Sequence, residues 1–308
     1  MSEPRHAGDR DRVLCVPETP IAFLDDHRLL ARAPAKLNLI LRIGPPRRDG
    51  YHPVDSIVTK ITLYDDLIFT RRSDAAVMLT CDDPTLATDE TNLVVRAARR
   101  LQALGARGGA DIELRKRIPA GAGLGGGSAD AAVTLRVLNE LWSVGLDADA
   151  LAGLAADLGS DVPLTLADGA SRMRGRGERL SPVTVAPFAA VLVTPPVHAS
   201  TASVYAAFDA MAPGPLEPVD PETLAGGPAS RWADRLVNDL FVPACRVCPE
   251  IAAWADGLEA ATGRRAHMTG SGSALFVLAD DETQALTLVD RLDPQSRPAA
   301  RVVTQNPW

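Results

Sequence analysis

Lysine is nearly absent from this chain: Lys36, Lys60 and Lys116 stand against 29 arginines. A genome-wide preference for arginine accounts for such a skew, so the surviving lysines mark places where a compact ammonium does what a guanidinium cannot. No apolar run reaches eighteen residues, which excludes a membrane-spanning helix. The stretch 1–12 is polar and lacks the apolar core of a secretory signal, which points to a cytoplasmic protein. Cysteine is scarce too. Cys245 and Cys248 form one Cys-x-x-Cys, but Cys15 and Cys81 supply no second close pair for a zinc ribbon. The pair also does not follow a first strand as a redox motif would. It reads as thiols lining a helix in a reducing compartment. A net charge of −7 argues against nucleic acid as a partner. Internal repeats and heptads are missing as well.

What is present is a mixed pattern. The 308 residues, 46% hydrophobic, suffice for one large or two ordinary domains. Residues 1–27 read as an extension, charged and without period. Residues 28–42 read as an extended segment that turns Lys36, Asn38 and Ile40 one way and Leu37, Leu39 and Leu41 the other. Further strands are expected at 54–63, 66–71, 76–81, 111–116, 189–194, 273–279 and 300–304. Helices are expected at 92–104, 128–142, 148–158, 201–211, 231–241, 250–261 and 281–292. The Pro- and Gly-rich stretch 212–230 reads as a loop. Strands and helices mix without regular alternation, so the class is α+β rather than a doubly wound sheet.

The segment 117–135, RIPAGAGLGGGSADAAVTL, holds five glycines within seven residues and runs straight into an alanine-rich helix. Glycines let backbone N–H groups face a ligand, and the helix N-terminus adds free donors and partial positive charge. Together they make an anion site suited to phosphate, with Ser128 able to cap the helix or to meet phosphate or Mg2+. The core GAGLGG also spells the dinucleotide fingerprint, but a second helix follows where that fold needs a strand bearing an acid. The Walker lysine is absent, since 127–129 read Gly-Ser-Ala, and the protein-kinase motifs are missing. A glycine hinge without a ligand stays open as the structural reading.

The loop resembles the phosphate-binding motif of the GHMP kinase superfamily. Three more stretches, PAKLNLIL (34–41), DGYHPVDSI (49–57) and GSDVP (159–163), resemble its 4-diphosphocytidyl-2-C-methyl-D-erythritol kinase family, and MTGSGSALFVL (268–278) resembles the third superfamily motif. The resemblance runs from 34 to 278. It departs in the long segment before Pro34 and in Ala129, where the family often has a second serine. It implies a two-domain fold with mixed and antiparallel sheets, an N-terminal domain over 28–168, a C-terminal domain over 169–308 and the site in the cleft between them. The implied activity is ATP-dependent phosphorylation of the 2-hydroxyl of the CDP-linked methylerythritol, in non-mevalonate isoprenoid synthesis. ATP is the co-substrate and Mg2+ the expected metal, its ligands and the oligomeric state unassigned.

Residue by residue, the resemblance implies ATP binding by Pro119, Ala120, Gly121, Ala122, Gly123, Leu124, Gly125, Gly126, Gly127 and Ser128. Asp161 is the implied base, and Lys36 would keep it ionised and stabilise the developing alkoxide. Asn38, Tyr51 and His52 are the implied substrate contacts, Tyr51 stacking on the cytosine and His52 hydrogen-bonding to it. Asp161 also reads as a turn-capping side chain, Lys36 as a solvated lysine, and Tyr51 and His52 as structural. Arg172, Arg174, Arg176 and Arg179 read as a solvated basic loop. Another superfamily kinase, for homoserine, mevalonate or a sugar, and a non-catalytic nucleotide binder are the competing functions.

Overall fold

The computed structural model describes residues 21–306 apart from 26, 27 and 295. The chain opens with β1 (Ile21–Phe23), β2 (Arg28–Ile43), β3 (Val54–Arg72) and β4 (Val77–Cys81), then α1 (Leu93–Ala103), β5 (Gly109–Arg115), α2 (Gly126–Leu141), α3 (Ala148–Leu158) and α4 (Val162–Leu166). It continues through β6 (Ala170–Gly175), β7 (Arg179–Val183), β8 (Ala189–Val193), α5 (Thr201–Asp209), β9 (Val237–Asn238), α6 (Phe241–Val247) and α7 (Glu250–Thr262). The order ends with β10 (His267–Met268), β11 (Leu275–Ala279), α8 (Glu282–Asp290) and β12 (Ala300–Thr304).

Two sheets result. The larger runs β1-β2-β3-β5-β4, with the β6–β7 hairpin on β3 and β9 on β2; the smaller runs β10-β11-β8-β12. Three large cores among the described residues hold them. Leu67, Phe69, Ile112 and Leu114 of the large sheet pack on the apolar faces of α1 and α2, through Val95, Leu101, Leu135 and Leu138. The small sheet is buried on both faces, and its alternation divides its residues. Leu192, Phe276 and Leu278 meet Leu37, Ile57 and Ile61 of the large sheet. Val191, Val193, Leu275 and Val277 meet α5, α7 and α8 through Val204, Leu258 and Leu288. Side-chain caps start three helices where expected: Asn92 accepts from Val94 N, Asp147 from Ala150 N and Asp281 from Gln284 N.

Four expectations are corrected. Residues 54–63 and 66–71 are one 19-residue strand. Asp65, which falls in the gap between them, is satisfied by Lys116 and by two backbone N–H groups, so the strand carries it through the interior. The basic stretch 170–183 is a β-hairpin rather than a loop, and it extends the first sheet past residue 168. The expected helix 231–241 is two 3-10 turns and β9, with α6 beginning at Phe241. Asn238 is held extended because its Nδ2 donates to Met268 O (2.7 Å) and Gly270 O (2.9 Å). Within the segment read as an extension, Ile21–Phe23 pairs with β2 as an edge strand, while residues 1–20 lie outside the described ones.

His267 gives the fold a measurable pH signature. It packs on Phe276 with ring centroids 5.5 Å apart, and burial, then the charge of Arg265, pushes its pKa down to about 3. The folded chain therefore keeps this imidazole neutral where the unfolded chain protonates it below about 6.5. Stability from this group is full above that value and drains as pH falls toward 3. From pH 7 to pH 5 the wild type is expected to lose about 2 kcal/mol more than His267→Leu in urea unfolding. Equal losses in the two proteins contradict the assignment.

Candidate active site

Strand β2 carries Lys36 and Asn38, and its irregularity aims them. The pairing with β3 shifts register between Pro34 and Lys36 and again between Asn38 and Ile40. Such bulges re-aim side chains. The strict alternation expected for 36–41 therefore breaks: Ile40 joins Leu37 and Leu39 in the inter-sheet core, and Leu41 lines the cavity with Lys36 and Asn38.

The Asn38 amide is locked from several sides. Its Oδ1 accepts from Lys36 Nζ and from Gly270 N (3.1 Å), and its Nδ2 donates to Ser56 Oγ (2.9 Å). Its backbone N donates to Thr269 Oγ1 (2.9 Å). Lys36 is buried, and its ammonium stands 3.9 Å from Asp161 Oδ2. Burial lowers the Lys36 pKa, and the Asp161 charge opposes that shift. Asp161 sits at the N-cap position of α4, yet its side chain makes no capping hydrogen bond, which removes the turn-cap reading.

The glycine loop meets this group from the other side. Gly121, Gly123 and Gly125 take φ of 70°, 80° and 72°. Gly125 rather than Ser128 is the N-cap of α2, so Ser128 lies within the first turn. At Gly123 a Cβ would stand 2.3 Å from Thr269 O, and at Gly125 one would stand 3.0 Å from Lys36 Cγ. The glycines thus permit backbone to lie against the 269–272 turn and against the lysine stem.

Two cavities flank the loop. One, about 420 Å3, is lined by every residue from Pro119 to Ser128, with Asn92, Lys116 and Asp130. The other, about 860 Å3, gathers Lys36, Asn38, Tyr51, His52, Ser56, Asp161, Gly270 and Ser271. Gly123, Gly125 and Ser128 belong to both walls. Every residue assigned to the site from sequence lines one cavity or the other.

The larger cavity also holds residues that the sequence did not single out. Tyr205 of α5 lies 4.9 Å from the His52 ring, and burial, then the Asp161 charge, raises its pKa to about 12. Asp209 Oδ1 is 2.7 Å from His52 Nε2. The Arg176 guanidinium, at the hairpin turn, stands 4.5 Å from the Tyr51 ring centroid. The arginine cluster is therefore divided. Arg172 is spent on Asp55 in a bidentate pair (2.8 and 2.6 Å), while Arg176 faces the cavity. A helical aromatic such as Tyr205 has no local signal separating it from a core residue. Cys245 and Cys248 lie outside both cavities, as free thiols on α6 and at its C-cap.

Two family models match this chain: "GHMP kinases N terminal domain" over residues 92–169 and "GHMP kinases C terminal" over 231–296. A 4-diphosphocytidyl-2-C-methyl-D-erythritol kinase of Pelotomaculum thermopropionicum is 41% identical over 271 residues, covering 85% of this chain and 93% of that one. One of Moorella thermoacetica is 42% identical over 266 residues, covering 83% and 92%. A crystal structure of 4-(cytidine 5'-diphospho)-2C-methyl-D-erythritol kinase superposes with a TM-score of 0.68 at 33% identity, covering 90% of this chain and 99% of that one. Two further solved structures share the fold alone: an L. major mevalonate kinase at TM-score 0.68 and a Cytophaga hutchinsonii homoserine kinase at 0.62, both 17% identical, cover 90% and 92% of this chain and 95% and 96% of their own.

Proposed function

The chain belongs to the 4-diphosphocytidyl-2-C-methyl-D-erythritol kinase family of GHMP kinases, and from that premise we propose how its own residues perform the transfer of a phosphoryl group from ATP to the 2-hydroxyl of that CDP-linked alcohol. The observation that carries the reading is the position of Lys36 and Asp161. They stand 3.9 Å apart in the larger cavity, whose wall at Gly123, Gly125 and Ser128 is also the wall of the loop cavity. A donor phosphate held by one cavity and an acceptor alcohol held by the other meet across that wall.

The ATP phosphates bind to the backbone N–H groups of 120–128, at the start of α2. Asp161 takes the proton of the acceptor hydroxyl as it attacks. Lys36, 3.9 Å from Asp161, stabilises charge on the attacking oxygen and the transferring group. Asn38 orients the ammonium. Mg2+ fits this site as a nucleotide-borne ion, since such an ion keeps phosphate and water ligands and needs few from protein. No group of three or more His, Cys, Asp or Glu able to hold a metal occurs among the described residues, and Ser128 Oγ is the hydroxyl on the shared wall. The ion would supply charge neutralisation to the phosphates.

Tyr51 and Tyr205 offer aromatic faces for the base, with His52 fixed against Tyr205 by Asp209. Because Asp209 engages Nε2, the base hydrogen bond falls to the other polar atoms of His52. Arg176 supplies a cation suited to the acceptor's diphosphate. Arg176→Ala is expected to raise the acceptor KM about tenfold, as loss of a charged hydrogen bond does, with the ATP KM unchanged. An unchanged acceptor KM removes Arg176 from recognition. The free thiols Cys81, Cys245 and Cys248 support a reducing, cytoplasmic setting, and no helix among the described residues is long and apolar enough to cross a membrane.

The reading is tested by ADP release from the purified protein with ATP and each of three acceptors. Turnover is expected with 4-diphosphocytidyl-2-C-methyl-D-erythritol and none above background with homoserine or mevalonate. Turnover with either of those in place of the CDP-linked alcohol overturns it.

A further inference from the structure

Beneath the glycine loop lies a buried charge cluster that the transfer chemistry leaves unused. Asp65, on β3, is wholly buried, as is nearly all of Asp130 on α2. Lys116 Nζ bonds to Asp65 Oδ2 and, at 2.8 Å, to Asp130 Oδ2. The other oxygen of Asp65 accepts from Arg117 N (2.6 Å) and Ile118 N (2.8 Å), the two residues that lead into the loop. Lys116 N donates to Asp82 Oδ1 at 2.8 Å. At Gly126, the first residue of α2, a Cβ would stand 3.2 Å from Asp65 Oδ2, so the helix start lies directly on this carboxylate.

The arrangement ties both ends of one loop to one strand. The entry, 116–118, hangs on Asp65 through two backbone bonds and the Lys116 ammonium. The exit, the first turns of α2, is tied back through Asp130 and the same ammonium. A loop rich in glycine has much conformational freedom to lose, and donors must be in place before an anion can profit from them. A guanidinium is planar and forked, whereas an ammonium reaches two carboxylates in different directions from a single point. That explains a lysine here in a chain that otherwise uses arginine. Burial, with the charge of Asp65 adding to it, raises the Asp130 pKa, as expected for two carboxyl groups brought onto one cation.

We infer that Asp65 is the positioning residue of the nucleotide loop: through Lys116, Asp130 and the backbone of Arg117 and Ile118, it holds the loop's donors in the conformation that receives ATP. The inference rests on the proposal that 119–128 binds the nucleotide. Asp65 touches no substrate, so its loss acts on nucleotide affinity rather than on the acceptor.

The experiment compares wild type, Asp65→Asn and Asp65→Ala in steady-state kinetics, with hydrogen exchange of 119–128 followed with and without a non-hydrolysable ATP analogue. Asparagine can still accept the two backbone bonds but loses its ion pair; alanine loses both. The ATP KM is expected to rise at least about tenfold in Asp65→Ala and by less in Asp65→Asn, with the acceptor KM within twofold of wild type. The analogue is expected to protect the loop in wild type and to protect it less in both variants at equal concentration. An unchanged ATP KM in Asp65→Asn and Asp65→Ala overturns the inference, as does a parallel rise of both KM values. Should the alanine variant not fold, Asp65→Asn alone decides, an ATP KM at the wild-type value sinking the inference. If the analogue fails to protect 119–128 in wild type, the reading of the loop falls, a result distinct from protection that is merely indifferent to Asp65.

Discussion

Asp161→Asn is expected to lower kcat about 1,000-fold while leaving affinity for a non-hydrolysable ATP analogue within about threefold of wild type, the range general-base catalysis spans. The substitution is nearly isosteric. It leaves the N-cap position of α4 intact, because the Asp161 side chain makes no capping bond there. It removes a proton acceptor in the cavity opposite the nucleotide, so binding of ATP has no reason to suffer. It also removes the charge that, after burial, contributes to the raised pKa of Tyr205. A second readout follows: Tyr205 should ionise at lower pH in the variant, measurable by ultraviolet titration. Unchanged turnover assigns the base elsewhere.

Lys36→Met is expected to cost about 100- to 1,000-fold in kcat, as removal of a preorganised donor does. Its ammonium is buried, bonded to Asn38 and 3.9 Å from Asp161, so water cannot replace it cheaply. Lys36→Arg is expected to rescue little. A planar, forked guanidinium does not reproduce the single-point ammonium that bonds to Asn38 Oδ1 and stands beside Asp161. The wild type should also show an alkaline limb in kcat/KM below the usual lysine range, because burial lowers the Lys36 pKa and the ammonium is the working form. A limb that survives unchanged in Lys36→Met contradicts that assignment.

The scarcity of lysine proved an informative sequence signal. All three ammoniums are put to buried use: Lys36 beside Asp161, Lys116 between two carboxylates, and Lys60 donating to Ala167 O (2.5 Å) at the end of α4. Burial, then the charge of Arg136, lowers the Lys60 pKa to about 8. Lys60 thereby tethers the short helix that begins at Asp161. The glycine loop was legible because its requirement is local: positive φ at alternate glycines and a helix start.

What sequence did not reveal depends on distant partners. The continuity of β3 through Asp65 and Asp66 needs Lys116 and the backbone of 117–118, some fifty positions on. The extended backbone at Asn238 needs the carbonyls of 268 and 270. The hairpin at 170–183 looked like a solvated basic loop because its four arginines are conspicuous, whereas its pairing with β3 buries Met173 and fixes Arg172 on Asp55. Tyr205 and Asp209 enter the site only because α5 packs beside the segment bearing His52. Periodicity predicts a helix there without saying what faces it.

The central claim is direct transfer from the loop cavity to an acceptor deprotonated by Asp161, with no phosphorylated enzyme between. Stereochemistry at phosphorus reports on it most directly. With ATP made chiral at its γ-phosphate by oxygen isotopes, a single in-line displacement gives product of inverted configuration. Inversion is the predicted result; retention would mean that a protein group, Asp161 foremost, first accepts the phosphoryl group itself, and would contradict the account.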